Sequence, residues 1–197
     1  MAIGVLLLAI TDTALAGRPW FERINEQATS VFYFKGNHAF KVIMMLLTLL
    51  GTDAALFSIA LGAAAWLWRS AKHTNAMTLL AGALLARILV LIVKIIAGSA
   101  RPRIKEPPWP LIESSDFGYP SGHAIVSIVI LGLTAFFIFR YRSSLKDTML
   151  AIILWSVILG IGVSRIYLGY HWVNDVLGGY LYGSVILLGA SSYKETG

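Results

Sequence analysis

The sequence predicts an all-α, polytopic membrane protein with six transmembrane helices, and three observations carry that expectation. Of its 197 residues 57% are hydrophobic and only 13% charged. A soluble domain carries about 25% charged residues, so there is too little polar sequence here to cover a soluble fold. The apolar residues fall in runs close to the ~20 that a helix needs to cross the hydrocarbon core. The few ionisable residues within or beside those runs gather at a small number of helix ends, where their cost marks a functional site.

The elements follow in order. Residues 2–16 form a short first membrane helix, interrupted by Thr11, Asp12 and Thr13. Its Ala14-Leu15-Ala16 ending resembles a signal-peptidase site, but no basic stretch precedes the apolar run. Residues 17–41 mix Arg18, Trp20, Arg23, Phe32, Tyr33, Phe34 and His38, the pattern of an amphipathic segment lying at the membrane interface. An ordinary polar connector is the competing reading. Five full spans follow at about 42–67, 76–97, 122–139, 148–168 and 172–190. No internal repeat is present, and residues 1–197 read as a single transmembrane domain.

Charge sets the orientation. Six helices put connections 69–75 and 140–147 and the C-terminus on one face, with Arg69, Lys72, Arg140, Arg142, Lys146 and Lys194. The basic tight connections point that face to the cytoplasm. Segment 17–41, loop 98–121 and turn 169–171 then lie on the extracytoplasmic side. The net charge of +6 is dispersed, which suits cytoplasmic loops and anionic lipid rather than nucleic acid. The absence of cysteine excludes disulfides, thiolate metal sites and cysteine nucleophiles.

Three polar clusters sit at helix ends on that second face. Lys94 and Arg101-Pro102 close the third helix, Pro120-Ser121-Gly122-His123 opens the fourth, and Ser164-Arg165 with His171 and Asp175 joins the fifth to the sixth. Lys94, Arg101 and Arg165 lack acidic neighbours in sequence, which suits a phosphate ligand. Arginine matches phosphate oxygens with paired donors and lysine adds a point charge. Ser121-Gly122 at a helix N-terminus offers a hydroxyl and free amides to the same anion. His171 and Asp175 stand four apart, so the carboxylate can hold one imidazole nitrogen and leave the other to attack. His123 is placed to protonate a leaving oxygen. Each piece alone has an ordinary structural reading as a cap, an interfacial cation or a surface contact. Their convergence on one face is what points to phosphoryl transfer.

The spacing K-x6-RP, PSGH and SR-x5-H-x3-D resembles the signature of the type 2 phosphatidic acid phosphatase (PAP2) superfamily, over Lys94 to Asp175. The resemblance implies a lipid phosphatase that works without metal or other cofactor through a phosphohistidine. His171 would attack phosphorus, Asp175 orient it and His123 protonate the leaving group. Lys94, Arg101, Ser121, Gly122 and Arg165 would hold the phosphoryl oxygens. It also implies a plasma (inner) membrane location, an active site facing the periplasm or exterior, and a phosphorylated lipid as partner. The plan is most similar to small bacterial undecaprenyl pyrophosphate phosphatases. Phosphatidylglycerol phosphate, phosphatidic acid and lipid A phosphates are the alternative substrates, and a non-catalytic lipid-phosphate binder or transporter is the rival of another class. The oligomeric state is not legible.

Three further expectations concern residues outside the signature. Asp53 and Arg87 should pair inside the bundle, near mid-depth, because an unpaired charge there is costly. Loop 98–121, with Arg103, Lys105, Pro107, Pro108, Trp109 and Pro110, sits over the site and could gate the headgroup or touch a second phosphate. Gly178, Gly179 and Gly183 should allow close helix packing.

Overall fold

Without water to satisfy them, backbone groups of apolar runs must be bonded within their own helix, and helix is what these runs form. The computed structural model describes residues 1–16, 18–32, 38–102, 117–141 and 144–192. Among them lie α1 (Ala2–Leu15), α2 (Pro19–Ser30), α3 (His38–Leu50), α4 (Asp53–Arg69), α5 (His73–Ala97), α6 (Gly122–Tyr141), α7 (Leu145–Tyr167) and α8 (Val173–Ser191). The only β pairing among the described residues is an isolated bridge between Ala100 and Phe117.

Local chemistry sets the ends. Ser144 and Asp147 open α7 with a reciprocal capping box. Gly98, left-handed at φ 58°, closes α5 and returns its N–H to the Lys94 carbonyl. Four helices (α5, α6, α7 and α8) are each long and apolar enough to cross a membrane, and the bent pairs α1–α2 and α3–α4 raise the count to as many as six. The expected interfacial stretch contains α2, while residues 38–41 already belong to α3.

The span expected at 42–67 is instead two helices bent by 58° at Gly51-Thr52. Packing is the reason. A Cβ on Gly51 would stand 2.6 Å from Ile161 Cγ2 and 2.7 Å from His123 Cδ2. The chain can pass there only as glycine and must turn away from α6 and α7. Thr52 then caps the new helix, accepting from the Ala55 N–H at 3.4 Å, with Asp53 in the first turn. Thr-Asp is a legible start signal, overridden in the sequence reading by the continuous hydropathy around it.

Helix α6 is the core. Every residue from Ala124 to Ala135 is buried, as expected of a helix that is apolar all round, and α4, α5, α7 and α8 pack around it. The outer helices bury one face and expose leucine and isoleucine on the other, including Leu84, Ile95 and Leu159. The α6–α8 contact is made close by the glycines expected to allow it. A Cβ on Gly179 would meet the Ser121 carbonyl at 2.9 Å, and one on Gly183 would stand 1.8 Å from Ile128 Cγ2. Replacing Gly183 with alanine should therefore force α6 and α8 apart at a cost of about 1–3 kcal/mol, read as a lower unfolding temperature in detergent. Gly189→Ala, with nothing within 4 Å of its Cβ, should be neutral.

Candidate active site

Four chain segments meet at one end of the bundle, and backbone hydrogen bonds lock them together. The strand-like ends of the long loop pair through Gly118 N–H to Ser99 O at 2.7 Å. Ser121 donates its N–H to the Asp175 carbonyl at 2.8 Å, joining the start of α6 to the start of α8. Tyr170 and His171 donate theirs to the Arg165 carbonyl at 2.9 and 3.2 Å, folding the α7–α8 turn back on itself. Trp172 adds a bond from its indole Nε1 to Ala100 O at 3.1 Å. The three sequence clusters thus become one site.

His171 lies in the turn before α8, not on the helix as its spacing suggested. The pairing still forms, because Asp175 in the first turn reaches back toward the N-terminus. Its Oδ2 lies 3.1 Å from His171 Nδ1 and accepts the Trp172 N–H at 3.0 Å. With Nδ1 donating to the carboxylate, His171 Nε2 carries the free lone pair. Both side chains are almost completely buried. Burial first, then the fields of Arg165, Arg101, Lys94 and His123, hold the His171 imidazole well below its ordinary value, so it stays neutral.

The three cations are held by neutral oxygens. Lys94 Nζ donates to the Phe117 carbonyl and Arg101 Nη1 to the Tyr170 carbonyl at 3.0 Å. Arg165, fully buried, donates from Nη1 to Thr48 Oγ1 at 2.9 Å and lies over the Tyr170 ring at 4.3 Å. Such anchors fix the positions of the three side chains. Ser121 Oγ and His123 Nε2 are buried and have no hydrogen-bond partner among the described residues. Ser121 therefore does not use its hydroxyl as a cap. Leaving such atoms unmade costs about 1–3 kcal/mol each, a cost a bound anion would remove.

Sequence reasoning missed several supporting residues. Thr48, near the end of α3, serves both halves of the site: its hydroxyl accepts from Arg165 and its backbone is hydrogen-bonded to His123. Trp172 has no side-chain oxygen to cap α8, and α2 supplies the acceptors from outside. Thr29 Oγ1 accepts the Val173 N–H at 3.1 Å and Asn25 Oδ1 the Asn174 N–H at 3.0 Å. Their i,i+4 spacing on α2 is the only hint the sequence holds. The polar residues that interrupt the first helix also have partners. Tyr119 donates to Asp12 Oδ2 at 2.8 Å, and Thr13 Oγ1 lies 2.7 Å from the Tyr182 hydroxyl, tying α1 to α8 and to the segment before Ser121.

The Asp53–Arg87 pair exists, with Arg87 Nε 3.1 Å from Asp53 Oδ2, but its side chains are 52% and 36% exposed rather than enclosed. The break at Gly51-Thr52 puts Asp53 in the first turn of α4, which accounts for the difference. Residues 103–116, on which the gating expectation rests, lie outside the described residues.

Replacing Thr48 with valine removes an acceptor of a buried guanidinium, so phosphate release should fall about ten- to a hundredfold, whereas Thr48→Ser, which keeps the hydroxyl, should retain most activity. Equal rates for valine and serine would show that the hydroxyl is not what matters.

Comparison with known proteins shows which family the chain resembles. The family model described as the PAP2 superfamily matches residues 75–196. Phosphatidylglycerophosphatase B of Bacillus subtilis is 32% identical over 95 residues, 47% of each chain. Undecaprenyl-diphosphatase of Sulfolobus acidocaldarius is 32% identical over 129 residues, covering 61% of this chain and 56% of that protein. The chain thus spans about half the length of the curated relatives it matches. In fold it is similar to the crystal structure of a transmembrane PAP2-type phosphatidylglycerolphosphate phosphatase from Bacillus subtilis, with TM-score 0.85 and 22% identity over 100% of this chain and 98% of that one. LpxE of Aquifex aeolicus is similar at TM-score 0.67 and 21% identity, over 86% and 96%. Matched by the family model over more than half its length, and carrying multiple apolar helices of membrane-spanning length, the chain belongs to the PAP2 superfamily of phosphatases as a multi-pass membrane member.

Proposed function

We propose that this protein hydrolyses the phosphomonoester or diphosphate headgroup of a membrane lipid through a phosphohistidine at His171. One observation carries the reading: two buried polar atoms without partners among the described residues, Ser121 Oγ and His123 Nε2, belong to a site where Lys94, Arg101 and Arg165 surround His171. That is the inventory of a phosphate-binding cradle with a nucleophile in it.

In the first step His171 Nε2 attacks phosphorus and the bond to the lipid oxygen breaks. That oxygen leaves with the electron pair and takes a proton from His123. Lys94, Arg101, Arg165, the Ser121 hydroxyl and the Gly122 amide stabilise the charge on the remaining phosphoryl oxygens. Asp175 keeps the proton on Nδ1 and stabilises the cation that forms on His171. In the second step water attacks the phosphohistidine, His123 takes the water's proton, and inorganic phosphate leaves with His171 restored.

The proposed topology has α1 as the first crossing, α3 and α4 together as the second, and α5 to α8 as the remaining four, with α2 at the interface. Basic connections at the end away from the site favour a plasma-membrane protein whose site faces the periplasm or exterior. Undecaprenyl diphosphate is the favoured substrate, with phosphatidylglycerol phosphate, phosphatidic acid and lipid A phosphates the alternatives. A curated relative named undecaprenyl-diphosphatase supports that choice, while one named phosphatidylglycerophosphatase B supports the first alternative.

Purified protein in detergent with EDTA should release phosphate from such lipids, and His171→Ala should lower the rate by at least about a thousandfold. Acid-quenched wild type should carry a phosphohistidine that the variant lacks. Equal release by both proteins removes His171 as nucleophile, and loss of activity in EDTA overturns the metal-free mechanism. Because the free His171 is held below its ordinary pKa, protonation disables it only in more acid solution. Its limb in kcat/KM should fall below about pH 6.5, the ordinary histidine value. The sign for stability follows from the same shift. Below about pH 6.5 the unfolded chain binds a proton the folded site refuses, so stability falls as the solution is acidified.

A further inference from the structure

Arg87 is a cation that the signature does not include and that a purely structural pairing does not fully explain. It lies on α5 seven residues before Lys94, two turns and about 10 Å along the axis, on the interior side of the end where the site forms. Its Nη1 is 3.9 Å from the point a Cβ on Gly122 would occupy, which puts the guanidinium against the first turn of α6. Its charge reaches both His123 and Lys94. Asp53 Oδ2 takes Nε at 3.1 Å, while Nη1 stands on the Gly122 side of the fork. A latch between α4 and α5 would need only the Asp53 contact. It would not need the fork at Gly122, and the pairing leaves Arg87 36% exposed rather than enclosed.

Depth decides what such a fork would meet. The lipid chain rises from the bilayer, so the part of the substrate that leaves with the lipid lies on the interior side of the reacting phosphorus, beside His123. Arg87 is on that side. We propose that Arg87, oriented by Asp53, is a subsite for a second phosphate that stays with the lipid, so that the enzyme selects lipids with two phosphorus centres. This rests on the lipid phosphatase reading above. In a diphosphate ester the second phosphate is the inner one. In a glycerol phosphate headgroup it is the phosphodiester. In either case attack on the terminal phosphorus breaks its bond to the bridging oxygen or alcohol oxygen. That oxygen keeps the electron pair, accepts the His123 proton and remains with the lipid and its second phosphate. The fork donates to phosphate oxygens that are present before and after the step, so its contribution is selection of substrate.

The experiment compares kcat/KM for two matched pairs: farnesyl diphosphate against farnesyl monophosphate, and phosphatidylglycerol phosphate against phosphatidic acid. For Arg87→Gln the two-phosphorus to one-phosphorus ratio should fall about ten- to a hundredfold in at least one pair, and the pair affected identifies the source of the second phosphate. Arg87→Lys, which keeps the charge but not the fork, should lower the same ratio by less, and Asp53→Asn should shift it in the same direction. If Arg87→Gln does not fold, the lysine and Asp53→Asn variants decide the matter by the same ratio. Ratios unchanged within twofold in both pairs, including a uniform loss on all four substrates, overturn the subsite and leave Arg87 a latch. A wild type inactive on all four overturns the phosphatase reading itself.

Discussion

The Asp175 carboxylate is the contact on which the site depends, because a single oxygen does two jobs. It accepts the N–H of Trp172, the residue before α8, and the Nδ1 proton of His171, so the start of a helix and the orientation of a nucleophile are one constraint. The same residue's carbonyl receives the Ser121 N–H, which sets the start of α6 against the start of α8. Gly118 passes so close that a Cβ there would lie 2.9 Å from Asp175 Oδ2. The turn before α8 and the segment from Gly118 into α6 are therefore both positioned relative to one acidic residue. A buried carboxylate is costly to desolvate, and its bonds and the cations around it offset part of that cost.

The cations follow a complementary logic. Lys94, Arg101 and Arg165 are anchored on a carbonyl, a carbonyl and a hydroxyl, so their positions are fixed. Oxygens already in place need little reorganisation when a phosphate arrives, and preorganisation is where such sites gain most of their rate. Thr48 matters in this scheme because it serves the clamp with its side chain and His123 with its backbone. It can do so only because α3 ends beside the site, which Gly51 enforces.

The signature residues, the helical class and the ends of α5 to α8 were legible in the sequence. Hydropathy reports spans directly, and catalytic residue types cluster at helix ends for chemical reasons. What was not legible depends on contacts between distant segments. Thr48 looks like an ordinary residue of an apolar run, and Asn25 and Thr29 look like the polar face of a surface helix. The break after Gly51 was hidden because the sequence on both sides is equally apolar. Its cause is the crowding of Ile161 and His123 from other helices. Asp12 and Thr13 read as interruptions because their partners, Tyr119 and Tyr182, lie more than a hundred residues away. The Asp53–Arg87 pairing was legible from the cost of buried charge, but its exposure was not.

The enclosure of α6 from Ala124 to Ala135 has a consequence for how the protein sits among lipids of different length. A bilayer thicker or thinner than the protein's apolar belt is accommodated by tilting or by deforming the lipid around exposed helices. Helix α6 is buried from Ala124 to Ala135, with Phe139 exposed near its far end, so it has little hydrocarbon contact through which mismatch could act. Helix α8 is partly exposed, with Leu177 on its outer face, and does feel the surrounding lipid. Bilayer thickness thus bears on the helix that carries Asp175 while leaving the helix that carries His123 largely insulated. Changes in lipid length would reach the catalytic geometry as relative motion between these two helices, resisted by the closely apposed glycines between them.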